Sequence, residues 1–453
     1  VTIADTPYGR GVHAPVGRET TTGPLPVRGR LPDGLAGTFV RNSGDPFFPP
    51  RGRHHWFDGD GFVHGVDVRD GAVSYRSRWI ATAGLRKEQA AGQALFDGLH
   101  DATGPLKDTA NTDLLVWNRQ LLATWWLSGK PMSLAVPALD TLGPATAGGA
   151  PLPRMAAHPK TDPRTGELVF MAYDTVRPPW LTYGVAHPDG RVHTAVIDVP
   201  HAHVPHDLGI TERYSVLLDL PLGWTTKDSG KRRLGFFADR PARIGLIPRW
   251  GGSADVRWFE TDPCYVYHLV GCWEEGEQVV VVGCRIADPI PARRTTDRVV
   301  ARLDTIELVP HLFRWTLDPR TGAVTGTPLD DLPTEFPRID DRRWGVPVRH
   351  GFAPRIAPQE ALTFDGLAKY DLATGQRALL DWPAPFTSGE VVFAPRAGGE
   401  GDDDGWLVTI LSDGARSAFV VHDARTLAEE AWVELPVRVP QGFHAEWVPA
   451  GAV

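Results

Sequence analysis

Cysteine is scarce in this chain of 453 residues. There are three, Cys264, Cys272 and Cys284, an odd number too small for a disulfide framework, and a reducing cytoplasm is the compartment they suit. A basic surplus is also absent. The 47 Lys and Arg stand against 55 Asp and Glu, for a net charge of −8, which excludes the electrostatic footprint of a nucleic-acid binder. No apolar run approaches the ~20 residues that span a bilayer. The first residues lack a charged start followed by an apolar core, so no secretory signal is expected. Stretches of helical period are few. Residues 85–99 (LRKEQAAGQALFDGL) form the one helix the pattern predicts, with Leu85, Ala91, Leu95 and Leu99 on one face. No basic amphipathic helix announces a membrane surface.

What the chain does have is turns. Its 48 Gly and 41 Pro are spread along the whole length, and HPDG, LPDG and DPRTG punctuate short runs of Val, Ile, Leu, Phe and Trp. Such punctuation predicts many short strands. Candidates lie at 37–41, 62–68, 114–117, 121–125, 168–173, 191–199 and 215–219. Others lie at 254–260, 278–285, 312–317, 390–394, 406–412 and 418–423. Even spacing without a composition break reads as one all-β domain of meandering antiparallel sheets, with a propeller as the natural architecture for this length. Residues 1–26, rich in Gly, Pro and Thr, read as an arm leading into it.

Four histidines carry the chemistry. They are His158 in AHPKTDPRTGEL, His206 in PHDLGITERY, His268 in CYVYHLVGCWEEG and His444 in QGFHAEWVP. Compact zinc motifs space their ligands by two to five residues. These four are far apart, as befits ligands delivered by different sheets to a common axis. Each has a structural reading when taken alone: a turn before Pro159, a surface loop after Pro205, a core residue in an alternating strand, a packing partner for Trp447. Two local competitors are present. Cys264 and Cys272 flank His268, and His201 and His203 share a strand face close to His206. The pairs His54–His55 and the nearby His64, around the tight FDGDGF turn, read as structural or surface residues.

With their flanking text, the four stretches resemble the carotenoid cleavage oxygenase family, which includes the lignostilbene dioxygenases. The resemblance runs over residues 37–449 and takes in GTFVRNSGDP and HHWFDGDGFVHGV. It implies a seven-bladed β-propeller with a dome of loops and helices over an axial iron. It implies Fe(2+) held by His158, His206, His268 and His444 alone, and the cleavage by O2 of a conjugated C=C bond in an apolar alkene to give two carbonyl products. Neutral imidazole ligands need acceptors at their other ring nitrogens, and in the family three glutamates serve. Here Glu335, in TEFPRIDDRRWG, is the implied partner of His268. Asp402 stands where a glutamate is usual beneath His444, with Glu400 as an alternative. Trp126, or Leu127 if the gap is placed differently, occupies the position of the third. Thr112 matches a residue that crowds the sixth coordination position, or else closes a turn with Asn111.

The substrate pocket is expected around Leu99, Trp125 and Trp126. Leu99 and Trp125 stand where the lignostilbene branch keeps a tyrosine and a lysine for a phenol, and Lys107 and Lys130 lie near in sequence as substitutes. The apolar replacements favour a carotenoid or apocarotenoid, with a stilbene or phenylpropenoid second. A third reading is a non-catalytic propeller that binds an apolar ligand over an impaired iron site. Peripheral membrane contact follows from a lipid-borne substrate, and the oligomeric state is not encoded.

Overall fold

The structure is a computed structural model that describes residues 3, 6–101, 104–226 and 232–453. Strands dominate it, and the chain forms two compact units, Val1–Ala157 with Asp381–Val453, and His158–Leu380. In the first unit the two ends of the chain meet in one sheet. Its strand order is Thr20–Thr21, Ala72–Trp79, Asp60–Arg69, Gly37–Asp45 and Ala445–Pro449. Gly37 lies opposite Pro449 and Arg41 opposite Ala445, so the last strand is zipped onto the first long one. Residues of the arm are tied to the same sheet: Leu25 N donates to Val73 O at 2.7 Å and Val16 N to Asp45 Oδ2 at 2.6 Å.

Period-two alternation sends neighbouring side chains of this sheet to opposite faces. Phe39, Val66 and Tyr75 pack with Trp406, Val408, Phe419 and Val421 from the strands Gly405–Ser412 and Ser417–Asp423. Val40, Val63 and Val448 pack on the other face with Leu114, Leu121 and Met132. Those three belong to the sheet Asp113–Trp117, Gln120–Thr124, Met132–Leu134, Thr141–Pro144. The first sheet is thus apolar on both sides, and truncating a residue such as Phe39, fully buried, costs about 3–5 kcal/mol. The hairpin between Asp113–Trp117 and Gln120–Thr124 has a two-residue turn, Asn118 and Arg119, both at positive φ, the geometry that matches strand twist.

The second unit holds antiparallel sheets made largely of consecutive strands. Lys160–Thr161, Leu168–Tyr173, Leu181–Ala186 and Val192–Ile197 form one. Gly209–Ile210, Tyr214–Asp219, Ala242–Pro248 and Arg257–Thr261 form another. Tyr265–Glu275, Gln278–Ile286, His311–Leu317 and Val324–Pro328 form a third, and His350–Ile356 pairs with Phe364–Asp371.

The helix is shorter than its pattern suggests. It spans Ala83–Ala91, with the Thr82 side chain accepting from Leu85 N at its start and Gly92 in the left-handed region at its end. Gly92 is a C-terminal cap, not a tolerated interior glycine, so Leu95 is left exposed and Leu99 falls outside the helix.

Candidate metal centre

Each candidate histidine sits at or beside the terminal strand of its own sheet. His158 precedes Lys160–Thr161, His206 precedes Gly209–Ile210, His268 lies within Tyr265–Glu275, and His444 immediately precedes Ala445–Pro449. All four are buried. Local backbone irregularities aim the side chains. His158 has φ +66°, a conformation that costs a non-glycine residue of order 1–3 kcal/mol unless its surroundings fix it. His268 lies in a bulge, with register shifts on both sides of Leu269, and bulges re-aim side chains.

In the second unit three imidazoles converge. His158 Nε2 lies 3.2 Å from His206 Nε2, and the His268 ring centroid is 4.9 Å from that of His158 and 5.1 Å from that of His206. Glu335 holds His268 as the sequence implies: its Oε2 is 2.5 Å from His268 Nδ1 and accepts from Phe336 N at 2.7 Å. A carboxylate acceptor places the proton on Nδ1 and leaves the Nε2 lone pair for a metal. Phe336, at φ +52°, marks the turn that brings the carboxylate in.

Two positioning residues in this unit escaped the sequence reading. Asp207 Oδ1 accepts from Lys160 Nζ at 2.5 Å and from Leu208 N at 2.7 Å, while Oδ2 accepts from Leu269 N at 2.8 Å. Lys160 Nζ also donates to His158 O at 3.0 Å. One buried ion pair therefore indexes the backbone beside all three histidines. The signal was present as the Asp directly after His206 and the Lys two residues after His158, but only tertiary structure joins them.

In the first unit His444 is held differently from expectation. Its Nδ1 lies 3.1 Å from Glu390 Oε1, and Glu390 Oε2 accepts from Ala445 N at 2.6 Å. Asp402 is not that acceptor. It lies in the half-buried turn 401–404 ahead of Gly405–Ser412, and a full-length glutamate reaches His444 from the segment before Val392–Pro395. Glu400 is not needed in that role either. Thr112 O accepts from His444 N at 3.2 Å. The Thr112 hydroxyl donates to Asn111 Oδ1 and accepts from Trp126 N, both at 2.9 Å, so Thr112, Trp126 and His444 are neighbours. Trp126 and Phe443 both pack on Phe57, with ring centroids 5.4 and 5.3 Å apart.

The competing ligands are otherwise engaged. His203 is buried, with Nδ1 2.6 Å from Asp219 Oδ1, and His201 is exposed. Burial raises the thiols of all three free cysteines, Cys264 to about 11 and the others further. His64 is a core residue between Ser43 and Tyr75, and His55 caps the turn Trp56–Asp58.

A cavity opens in the first unit, walled by Phe48, Phe57, Phe96, Leu106, Trp125 and Trp126. The two tryptophans line it as expected. Leu99 does not: Gly98 is the lining residue there, and the Leu99 backbone N–H donates to Asp58 Oδ1 at 2.9 Å.

A family model described as retinal pigment epithelial membrane protein matches residues 13–449. A carotenoid cleavage oxygenase of Mycobacterium tuberculosis is 33% identical over 98% of this chain and 97% of its own. A carotenoid 9,10(9',10')-cleavage dioxygenase of Phaseolus vulgaris is 33% identical over 97% of this chain and 89% of its own. Among solved structures, the lignostilbene dioxygenase of Pseudomonas brassicacearum superposes with a TM-score of 0.85 at 30% identity, covering 98% and 99% of the two chains. The cobalt-substituted apocarotenoid oxygenase of Synechocystis gives 0.84 at 25% identity over 99% of each. Those structures are seven-bladed β-propellers, and this chain has that fold class.

Proposed function

We propose, from the premise that this chain belongs to the retinal pigment epithelial membrane protein family of carotenoid cleavage oxygenases, that His158, His206, His268 and His444 together hold ferrous iron and that the protein cleaves a conjugated C=C bond with O2. The observation that carries the reading is the convergence of three buried imidazoles, His158, His206 and His268, with the His268 Nδ1 claimed by Glu335; His444 has the same kind of carboxylate partner in Glu390. That donor set suits a first-row divalent metal: neutral nitrogen ligands, with negative charge held one bond further out. Ferrous iron held there would supply a redox-active centre at which O2 could be activated toward the alkene, whose C=C bond provides the electrons.

The chain's own residues do the rest. Glu335 and Glu390 hold protons at Nδ1 of their histidines and keep the Nε2 lone pairs directed inward. The Lys160–Asp207 pair keeps three ligand-bearing segments in register. Thr112, hydrogen-bonded on both sides, is positioned to crowd one approach to the metal, and Trp125 and Trp126 give the cavity a water-excluding wall. On the family resemblance, Trp126 stands where the third carboxylate is usual. The reaction breaks one C=C bond and forms two C=O bonds, with both oxygen atoms of O2 in the products and no external reductant.

A carotenoid or apocarotenoid is the substrate class we assign, because the aromatic wall suits a polyene. The stilbene reading is second, favoured by the likeness to a lignostilbene dioxygenase. The reduced, buried thiols suit the cytoplasm. No helix among the described residues is long and apolar enough to cross a membrane, so access to a lipid-borne polyene is assigned to peripheral contact. The test is incubation of iron-loaded protein with apocarotenoids and stilbenes under isotopically labelled O2. Two labelled carbonyl fragments support the reading. Tight ligand binding without any carbonyl product replaces it with a non-catalytic binding protein.

A further inference from the structure

Arg41 is a buried charge in the first unit that the proposed chemistry does not use. It lies on the strand Gly37–Asp45 and is 1% exposed. Its Nη2 donates to Ile410 O at 2.7 Å, while its Nε has no hydrogen-bond partner among the described residues. One neutral acceptor does not offset the burial of a guanidinium, which is strongly unfavourable without a counter-charge. Burial lowers its pKa to about 10, with Glu390 and Tyr75 opposing the shift, so it stays charged at pH 7. Burial also raises the Tyr75 phenol, which leaves Glu390 as the counter-charge.

The same side chain is lodged between the two segments that build the His444 side of the site. A Cβ on Gly389 would lie 3.0 Å from Arg41 Cζ, and one on Gly442 would lie 2.6 Å from Arg41 Cδ. Carbon atoms in ordinary contact stand about 3.5–4.0 Å apart, so both glycines make room for Arg41. Gly389 directly precedes Glu390, and Gly442 lies two residues before His444. The backbone ties agree. Arg41 faces Ala445 in the strand pairing, and Asn42 N donates to His444 O at 2.9 Å. Ile410, which accepts from Arg41, follows Thr409, whose hydroxyl donates to Glu390 O at 2.8 Å.

We propose that Arg41, wedged between Gly389 and Gly442, is a positioning residue for the metal centre: its buried charge holds the Glu390 carboxylate in place against His444 Nδ1. It touches neither metal nor substrate and acts through Glu390 alone. The inference rests on the reading of His444 as a metal ligand and adds to it the group that steadies its acceptor.

The test is a double-mutant cycle on Arg41→Met and Glu390→Gln in the full chain. It is read as ferrous-ion affinity by anaerobic titration, with thermal unfolding to measure the folded state of each variant. We expect Arg41→Met to bind ferrous ion about 10-fold more weakly, the lower end of what loss of an outer partner of a ligating histidine costs. Arg41→Lys, which keeps a charge on a long stem, should stay within about 3-fold of the parent. In the Glu390→Gln background the further loss from Arg41→Met should be under about 3-fold, because members of one network are not additive. Full additivity overturns the proposal. So does Arg41→Met that is less stable but binds ferrous ion as the parent does, the signature of a merely structural role. Arg41→Lys as weak as Arg41→Met overturns it as well. If Arg41→Met alone does not fold, the double variant, which removes both charges, is compared with Glu390→Gln, and a further loss above about 3-fold has the same meaning. Parental affinity in Glu390→Gln itself defeats the reading of His444, and this inference with it. A weakened Glu390→Gln with an additive Arg41→Met leaves that reading standing and removes only this one.

Discussion

Glu390→Gln and Asp402→Asn separate the two carboxylates that compete for the role beneath His444. Glu390 is 2% exposed and serves two N–H donors at once, His444 Nδ1 at 3.1 Å and Ala445 N at 2.6 Å. Glutamine keeps the shape but has one acceptor oxygen, so its NH2 group must face one of those two donors. Losing the partner of a ligating histidine costs about 10- to 100-fold in metal affinity, or roughly 1.4–2.7 kcal/mol. Asp402 lies in a half-buried turn, and Asp402→Asn is expected to change stability and iron affinity by no more than about 0.5 kcal/mol. The assay is anaerobic titration of each variant with ferrous ion, with thermal unfolding as a control on the fold. A loss of iron affinity in Asp402→Asn equal to that in Glu390→Gln, or none in Glu390→Gln, refutes the placement.

Three further outcomes are expected. Lys160→Met strands the buried Asp207 carboxylate and lowers stability by about 3–5 kcal/mol, read as a drop in the thermal midpoint; an unchanged midpoint removes the pair's positioning role. His64 is wholly buried beside Ser43 and Tyr75, and burial, with the charges of Arg41 and Arg438, lowers its pKa from 6.5 to about 3. Its folded-state pKa is depressed, so the stability it contributes is full above pH 6.5 and fades as the pH falls toward 3, by up to about 1.4 kcal/mol per pH unit. The stability gap between the parent protein and His64→Gln should therefore narrow on acidification, and a gap constant from pH 7 to pH 4.5 contradicts this. Gly442→Ala puts a Cβ against Asn42 O and the Arg41 side chain. We expect a loss of about 1–3 kcal/mol together with reduced iron occupancy, because the displaced segment carries His444.

The four histidines stood out because each lies in a short stretch that resembles a family motif, and so did Glu335, which the fold sets beside His268. Glu390 was not. Reading by motif points to the acidic turn at 402–404, whereas the carboxylate that reaches His444 comes from the stretch before Val392–Pro395, where no charge pattern announces it. The Lys160–Asp207 pair was hidden because its members lie on separate strands that only the folded unit brings together. Several strands were missed where glycine sits inside them. Leu181–Ala186 and Ala242–Pro248 contain Gly184 and Gly245, which look like turn signals. In the folded sheets these glycines make room for the rings of Phe170 and Trp258 on the neighbouring strands, a pairing that supports a glycine in a strand. The helix end at Gly92 was misjudged because apolar period continued past a residue whose positive φ stops the helix.

The central claim is a metal held by histidines alone, and metal content tests it most directly. Protein reconstituted anaerobically with ferrous ion and then desalted should retain about one iron per chain, and alanine variants of His158, His206, His268 and His444 should each lose it. A folded protein that retains no iron, or iron kept by three of the four variants, contradicts the account.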